Sequence, residues 1–314
     1  MKLEEFVKIR RNLRSFGDFK KYKHPRGTLF GILSQKKVDF VKRTYHNLLS
    51  RLPEIEEEWK RKGRLPKWLR LPPVLRLKFL MKSLGFSDKE IDRYFKNPHG
   101  EFEEMIWNAI YTDYLYSPIA AKIQVARGRV GELMIRDFLE SLNVEFKCEK
   151  ILRPSKKTPD FFIEDGLEID GRTIRWIESK ALFGDLSLHR FYSKKQYDRY
   201  LEIYGDGLII YWLGKLDNLD SQALIKDYTF IPHKAKNFLL EMKIFFADKK
   251  VEDIAEILDA TVWEWESDEV KSKKFLNEIL DLFQRIEGNI IITNYNGGLK
   301  RVFRNMGFDI ITFP

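Results

Sequence analysis

The chain lacks most features that mark secreted and membrane proteins. Its single cysteine, Cys148, excludes an intramolecular disulfide and a zinc site built on several thiolates, so we expect a small strand residue beside the core. No apolar run approaches the length of a membrane span, and residues 1–5 lack the apolar segment of a signal peptide. Internal repeats and low-complexity tracts are also absent from the sequence. We therefore expect a globular cytoplasmic protein without membrane association.

Acidic residues are scarce in the first third of the chain. Residues 1–100 have a net charge of +15, whereas residues 101–314 have −6. Clusters of cations at 10–26, 36–43 and 61–70 favour contacts with phosphates, and the asymmetry predicts a polyanion-binding half joined to a half with another role. Lysine and glutamate are abundant while cysteine and glutamine are scarce, which is typical of thermophiles. We expect a prokaryotic, most simply archaeal, source.

A helix-turn-helix pattern lies within the basic region. A first helix, 74–84, ends at Gly85, and a second helix covers 88–96. Ser87 and Glu90 form the capping box that begins the second helix. This layout predicts a DNA-binding module, and the expected contacts are Lys89, Arg93 and Lys96 on the second helix. The alternative is an ordinary helical hairpin that packs on the rest of the protein.

Two strands in the middle of the chain bring acidic residues together. Apolar and β-branched runs at 159–163 and 173–182 predict strands, and the Asp-Gly pair before Arg172 predicts a tight hairpin between them. Alternation places Glu178 and Lys180 on one strand face, with Asp160 near the start of the partner strand. Two carboxylates and a lysine are costly in a plain core. A divalent metal such as Mg²⁺, which prefers oxygen ligands, would offset that cost.

A helix at 127–142 precedes these strands and carries a third acidic residue. On a helical wheel Glu132 falls about 20° from Leu139 and inside the apolar face, so we expect its carboxylate to face the sheet. A first strand at 144–148, a helix at 191–204 and a strand at 207–213 complete the pattern. The predicted order is α-β-β-β-α-β.

The order Pro159-Asp160 followed by Glu178-Ser179-Lys180 resembles the signature of the PD-(D/E)xK nuclease superfamily, which includes restriction endonucleases and archaeal Holliday-junction resolvases. Within 117–213 the resemblance is closest to the TPD-motif family, and it rests on several segments. These are SPIAAKIQ, RGRVGE, KTPD, WIESKALFGD and GLIIYWLG. The resemblance implies a restriction-endonuclease-like core preceded by helix-turn-helix modules, and a 5′-phosphate product.

The resemblance also implies roles for individual residues. Asp160, Glu178 and the Ser179 carbonyl would hold Mg²⁺ or Mn²⁺, and Lys180 would orient and deprotonate the attacking water. Glu132 would order a second metal or its waters, and Gln196 would position water or substrate. The other expected nucleic-acid contacts are Lys156, Lys157, His189, Lys194 and Lys195. For His189, a structural hydrogen bond is an equal alternative.

The last third of the chain predicts a small α/β domain of unassigned role. Strands and helices alternate after residue 233, and Gly297-Gly298 precedes a helix where it would cradle a phosphate or form a simple turn. The predicted divisions are a basic helical region at 1–120, a nuclease domain at 121–232 and this domain at 233–314. The fold class is therefore a multidomain α/β protein.

These patterns predict a metal-dependent DNA nuclease of DNA repair. A helical DNA-binding half beside a catalytic half favours branched, flapped or single-strand-containing substrates. Two alternatives stay open: an RNA nuclease, and a catalytically silent DNA-binding regulator with the same fold. DNA is the expected partner, RNA is a second, and a homodimer is one oligomeric state compatible with the sequence.

Overall fold

The structure is a computed structural model of the 314-residue chain. It describes residues 1–149, 158–231, 233, 235–248, 252–266, 271–286, 288–295 and 297–313. The predicted nucleic-acid contacts Lys156 and Lys157 lie outside the described residues. Within the described ranges, helices and two sheets make this a mixed α/β protein, as predicted.

The described elements follow one another in this order. The helices are α1 (Leu3–Asn12), α2 (Arg26–Leu49), α3 (Leu52–Lys62), α4 (Pro73–Ser83), α5 (Asp88–Lys96), α6 (Glu103–Thr112), α7 (Pro118–Ser141), α8 (Leu186–Tyr192), α9 (Asp198–Tyr204), α10 (Lys236–Leu240), α11 (Glu252–Ile257), α12 (Lys273–Arg285) and α13 (Gly297–Asn305). The strands are β1 (Lys147–Cys148), β2 (Phe161–Ile169), β3 (Arg172–Lys180), β4 (Gly207–Tyr211), β5 (Leu224–Asp227), β6 (Lys243–Phe246), β7 (Ala260–Glu264), β8 (Asn289–Thr293) and β9 (Asp309–Thr312). A π-helical turn, Ser193–Tyr197, joins α8 to α9.

The chain forms two compact units, and each collects separated stretches of sequence. Unit 1 comprises Met1–Leu33, Val125–Met242 and Ile286–Asn289. Unit 2 comprises Ser34–Gln124, Lys243–Arg285 and Ile290–Pro314. The predicted domain boundaries at residues 120 and 232 stay predictions.

Unit 1 is built on a five-stranded sheet in the order β1-β2-β3-β4-β5. The first three strands are antiparallel, whereas β4 is parallel to both β3 and β5. Among the described residues from α7 to β4, the elements follow the predicted α-β-β-β-α-β order, with α8, the π-helical turn and α9 in the place of the single predicted helix. The sheet packs on an aromatic cluster that includes Trp176, Tyr197 and Tyr200, so the tyrosine stripe on the helix after β3 is core, as its spacing indicates.

The hairpin between β2 and β3 positions the residues of interest. Asp170 and Gly171 have φ values of +53° and +74°, and a tight turn of this hand requires positive φ at both central residues. Phe161 pairs with Ile177 and Phe162 with Trp176. The predicted hairpin is therefore confirmed, and its register places Asp160 beside the end of β3.

Unit 2 contains helices and a second, four-stranded sheet in the order β7-β8-β6-β9. β6 is parallel to β8 and to β9, which agrees with the α/β character predicted after residue 233. Among the helices, Ser87 and Glu90 form the predicted capping box of α5. Ion pairs from Lys78 and Lys82 connect α4 to Asp92 and Asp88 of the α5 helix. The use of α4 and α5 as a DNA-binding module stays a prediction.

No helix in the described ranges is both long enough and apolar enough to cross a membrane.

Candidate active site

Asp160 and Glu178 are held close together by two hydrogen bonds between the strands, each donated by a backbone N–H to a side-chain carboxylate. The Ser179 N–H donates to Oδ2 of Asp160 at 2.7 Å, and the Asp160 N–H donates to Oε2 of Glu178 at 3.4 Å. Each carboxylate is thus oriented by the chain segment of the other residue. The hairpin register produces this arrangement, because Phe161 is paired with Ile177.

Lys180 lies on the same face of β3 as Glu178, as alternation predicts. Its Nζ forms an ion pair with the Glu178 carboxylate, and the same atom lies 4.8 Å from the centre of the Tyr192 ring. Only 13% of the lysine side chain is exposed, so little bulk water weakens these contacts. The lysine is therefore positioned by one acidic and one aromatic neighbour.

Burial perturbs both carboxylates. Desolvation raises the pKa of Glu178, the charge of Asp160 raises it further, and Lys180 opposes the change. Desolvation also raises the pKa of Asp160, against the Ser179 N–H and Lys180. Two close, desolvated acids with one lysine lack balancing positive charge when both are ionised, and a bound divalent cation would supply it.

The donor set fits Mg²⁺ or Mn²⁺. Magnesium is usually held by one or two carboxylates together with water molecules. Asp160 and Glu178 supply that pair, and the described residues contain no cluster of three or more acidic, histidine or cysteine side chains that would form a closed site. Binding of the metal, and the contribution of the Ser179 carbonyl, stay predictions.

Glu132 is exposed on α7, so its expected burial in the apolar face was wrong. Gly131 is the residue that meets the sheet. A Cβ atom at this position would lie 2.4 Å from Nε1 of Trp212 and 2.7 Å from Oγ of Ser179. The helix therefore contacts the sheet at Gly131, and Glu132 is left at the rim of that contact. Its pKa is raised by partial desolvation and then by the charge of Asp160, so it is near enough to interact with the site.

His189 is buried, and both of its ring nitrogens are within hydrogen-bond distance of protein groups. Nδ1 lies 2.9 Å from the Tyr211 hydroxyl and Nε2 lies 3.2 Å from the Asp220 carbonyl oxygen. Burial lowers the pKa of His189. The geometry favours the structural alternative, while contact with nucleic acid stays untested.

The remaining predicted residues lie outside the carboxylate pair. Gln196 is in the π-helical turn, and its Oε1 is buried without a hydrogen-bond partner among the described residues. Lys194 and Lys195 are exposed in the same turn. Lys89, Arg93 and Lys96 are exposed on α5, which is part of unit 2.

Sequence reasoning missed two residues that support the site. Trp212 donates from Nε1 to Oγ of Ser179 at 2.9 Å, and Tyr192 covers Lys180. Trp212 directly follows β4, which pairs with β3, so its position next to Ser179 follows from strand order once β3 and β4 are known to be neighbours. No local signal in the sequence indicates the contact of Tyr192.

Comparison with known proteins agrees with this region of the chain. Residues 99–232 match the family described as "Protein of unknown function TPD sequence-motif". The match confirms the family resemblance and covers both strands of the hairpin and the helix that carries Glu132.

The particular relatives are vertebrate proteins named CDAN1-interacting nuclease 1. The chain is 38% identical to the Homo sapiens protein over 125 residues, which are 39% of this chain and 44% of the relative. It is 40% identical to the Danio rerio protein over 121 residues, 37% of this chain and 40% of the relative. The match thus spans less than half the length of these relatives.

No solved structure matches significantly. Vertebrate relatives do not support the predicted archaeal, thermophilic source.

Proposed function

We propose that this protein is a metal-dependent nuclease that hydrolyses phosphodiester bonds in DNA, on a restriction-endonuclease-like core. The observation that carries the proposal is the convergence of Asp160, Glu178 and Lys180 at adjacent strands. Relatives named as nucleases, which are similar over the same segment, support it. They are also named for an interaction with CDAN1, and we propose no such partner for this chain.

In this proposal the side chains have separate tasks. Asp160 and Glu178, with the Ser179 carbonyl, hold Mg²⁺ or Mn²⁺. When bound, such a metal lowers the pKa of water and offsets negative charge on the phosphate oxygens. Lys180 orients the attacking water and moves its proton. Glu132, at the rim of the site, orders further waters or a second metal, and Gln196 uses its unpartnered Oε1 to position water.

The preferred substrates in this proposal are branched, flapped or single-strand-containing DNA, such as the intermediates of DNA repair. The basic first third supports phosphate contacts that position a duplex without reading its sequence. A cut would then be located by the junction.

The test is cleavage of one labelled sequence presented in different forms, with Mg²⁺ or Mn²⁺. Single strands, duplex, splayed arms, flaps, four-way junctions and RNA of the same sequence are compared. We expect the branched DNAs to be cut fastest, and the cut to follow the junction when it is moved. Cuts that stay with the sequence would refute structure specificity, and faster cleavage of RNA would refute the assignment to DNA. Asp160→Asn should abolish all cleavage. Equal cleavage by this variant would refute the assigned site.

A further inference from the structure

An exposed concavity lies on α8 and the π-helical turn, which come after β3 in the sequence. Its walls are apolar and cationic. It has a volume of about 510 Å³, within the range of small-molecule sites. Its walls are Leu186, Ser187, Arg190, Phe191 and Lys194. The Phe191 side chain is 55% exposed, although a phenylalanine on a helix of this kind usually packs on the core.

The charges around this concavity fit an anionic ligand that has a flat apolar part. In the described part of the chain, neither Arg190 nor Lys194 forms an ion pair, and both are exposed. The Nζ atom of Lys195 lies over the Phe191 ring at 5.4 Å from its centre. A nucleotide matches this combination, since its base stacks on an aromatic ring and its phosphate pairs with the cations.

The concavity is also near the proposed catalytic lysine. The ring centres of Phe191 and Tyr192 are 5.3 Å apart, and the Tyr192 ring lies 4.8 Å from Nζ of Lys180. These two contacts place the Phe191 ring within about 10 Å of that nitrogen. A stacked strand rises about 3.4 Å for each nucleotide, and an unstacked strand spans more, so this distance corresponds to about three nucleotides or fewer.

We propose that this concavity binds an unpaired base of the substrate strand, which stacks on Phe191 about three nucleotides or fewer from the scissile bond. Arg190 and Lys194 pair with the phosphates next to that base. A base inside a duplex cannot offer its face to Phe191, so the site selects DNA whose strand is single or frayed beside the cut. The inference rests on the proposed nuclease function and specifies its substrate.

The first experiment measures binding of a short single strand in EDTA, where a metal-dependent nuclease does not cut. Phe191→Ala should weaken binding about tenfold, since one base–aromatic stack contributes about this much. Phe191→Trp should restore it and Phe191→Leu should not, because leucine is apolar but has no flat ring. Ile203→Ala, which truncates another exposed apolar residue of the same helical segment, is the matched control and should leave affinity unchanged. Equal weakening by both alanine variants, or full affinity of Phe191→Leu, would overturn the stacking site.

The salt dependence of the same binding tests the cations. Arg190→Ala with Lys194→Ala should reduce the log–log salt slope by about 1.4, at about 0.7 for each phosphate contact with a single strand. An unchanged slope would contradict their assignment. The control for removing a nearby cation is Arg199→Ala, because the Arg199 side chain is already paired with Glu202. This variant should leave the salt slope unchanged.

A second experiment separates this inference from the nuclease function. An abasic residue is moved along the single-stranded arm of a branched DNA, and binding in EDTA is compared with cleavage in Mg²⁺. One abasic position, about three nucleotides or fewer from the cut, should weaken binding by the wild type and should not change binding by the Phe191→Ala variant.

The outcomes distinguish the two proposals. If the DNA is cleaved but no abasic position weakens binding, the base site is refuted and the nuclease function is not. Position-dependent binding without any cleavage would support the base site and refute the nuclease. Self-association through Phe191 without DNA would overturn the proposal.

Discussion

Lys180 is held by two contacts that have different physical origins. The Glu178 carboxylate attracts its charge, and the face of the Tyr192 ring stabilises the same charge through the ring quadrupole. Together these contacts restrict a long, flexible side chain to the position where the proposed reaction needs it.

We predict that Lys180→Ala lowers the cleavage rate about 10²- to 10⁴-fold, as is typical when a group that transfers protons is removed. Binding of DNA in EDTA should change little. Lys226→Ala is the matched control, because Lys226 is also a sheet lysine paired with an acid, Asp170. A Lys180→Ala enzyme with the wild-type rate, or an equal loss in the control, would contradict the role.

His189 makes stability depend on pH. Its pKa is lowered in the folded protein by burial, opposed by the Asp220 carbonyl and by the charges of Asp198 and Asp220. Between the folded pKa and the unfolded value of about 6.5, the unfolded chain binds more protons. The unfolding free energy should therefore fall as pH decreases below about 6.5, by at most about 1.4 kcal/mol per pH unit.

Urea unfolding from pH 5 to 8 measures this effect. The variant His189→Gln keeps polar atoms for Tyr211 and the Asp220 carbonyl, and it should have a smaller slope than the wild type below pH 6.5. Above pH 7.5 the two slopes should agree, which provides the internal control. A larger slope in the variant would mean that the folded protein holds the protonated imidazole.

At the scale of elements, the contact of α7 with the sheet depends on an absent side chain. Any Cβ at Gly131 would overlap Trp212 and Ser179, so the helix approaches the site only because this residue is glycine. Gly128, one turn earlier in the same helix, would meet nothing within 4 Å. Substitutions at these two glycines therefore distinguish the effect of helix propensity, at Gly128, from the effect of packing, at Gly131.

We predict that Gly131→Ala destabilises the protein by about 1–3 kcal/mol, because overpacking forces α7 or Trp212 to move. Gly128→Ala should instead be neutral or stabilise by up to about 1 kcal/mol, as alanine favours a helix. Denaturant unfolding of both variants provides the comparison. Equal effects would show that α7 tolerates displacement from the sheet.

At the scale of the whole molecule, one stretch of sequence carries positive charge that no acidic residue within it balances. Residues 59–87 contain nine cations and no acidic residue. Within it, Arg61, Arg64, Lys67 and Arg70 are exposed, while Pro66, Leu69 and Leu71 are buried and anchor the connection between α3 and α4. Because the backbone of this loop is already ordered, these cations lose mainly side-chain entropy when they contact phosphates.

We predict that alanine at these four positions reduces the log–log salt slope of duplex binding by about 3.6, at about 0.9 for each phosphate contact. Four exposed cations elsewhere in unit 2 provide a control with the same charge change: Lys273, Lys274, Arg301 and Arg304. Binding isotherms between 50 and 200 mM salt, about a fourfold range, suffice for the slope. If both sets had the same effect, net charge rather than this loop would account for binding.

The features that the sequence determined by itself are those that depend on residues close to one another in the chain. The Asp170-Gly171 pair tolerates the positive φ values of a tight turn, and the Ser87-Glu90 pair caps α5, so both features follow from neighbouring residues. Alternation along β3 then set Glu178 and Lys180 on one face, next to the turn-defined partner strand. The family resemblance added the role of these residues, which local physics does not supply.

Only the tertiary structure decided which groups are buried and which residues support the site. A helical wheel placed Glu132 inside the apolar face of α7, but the helix contacts Trp212 at Gly131 and leaves Glu132 exposed, and that contact joins residues far apart in sequence. His189 and Phe191 are two residues apart in one helix and so lie on opposite sides of it, but only the packed structure decides that the side of His189, which faces Tyr211, is buried, while Phe191 is 55% exposed. The grouping of residues 1–33 with 125–242 is equally non-local. Burial is a property of the packed surfaces that surround a residue, and no window of neighbouring sequence contains them.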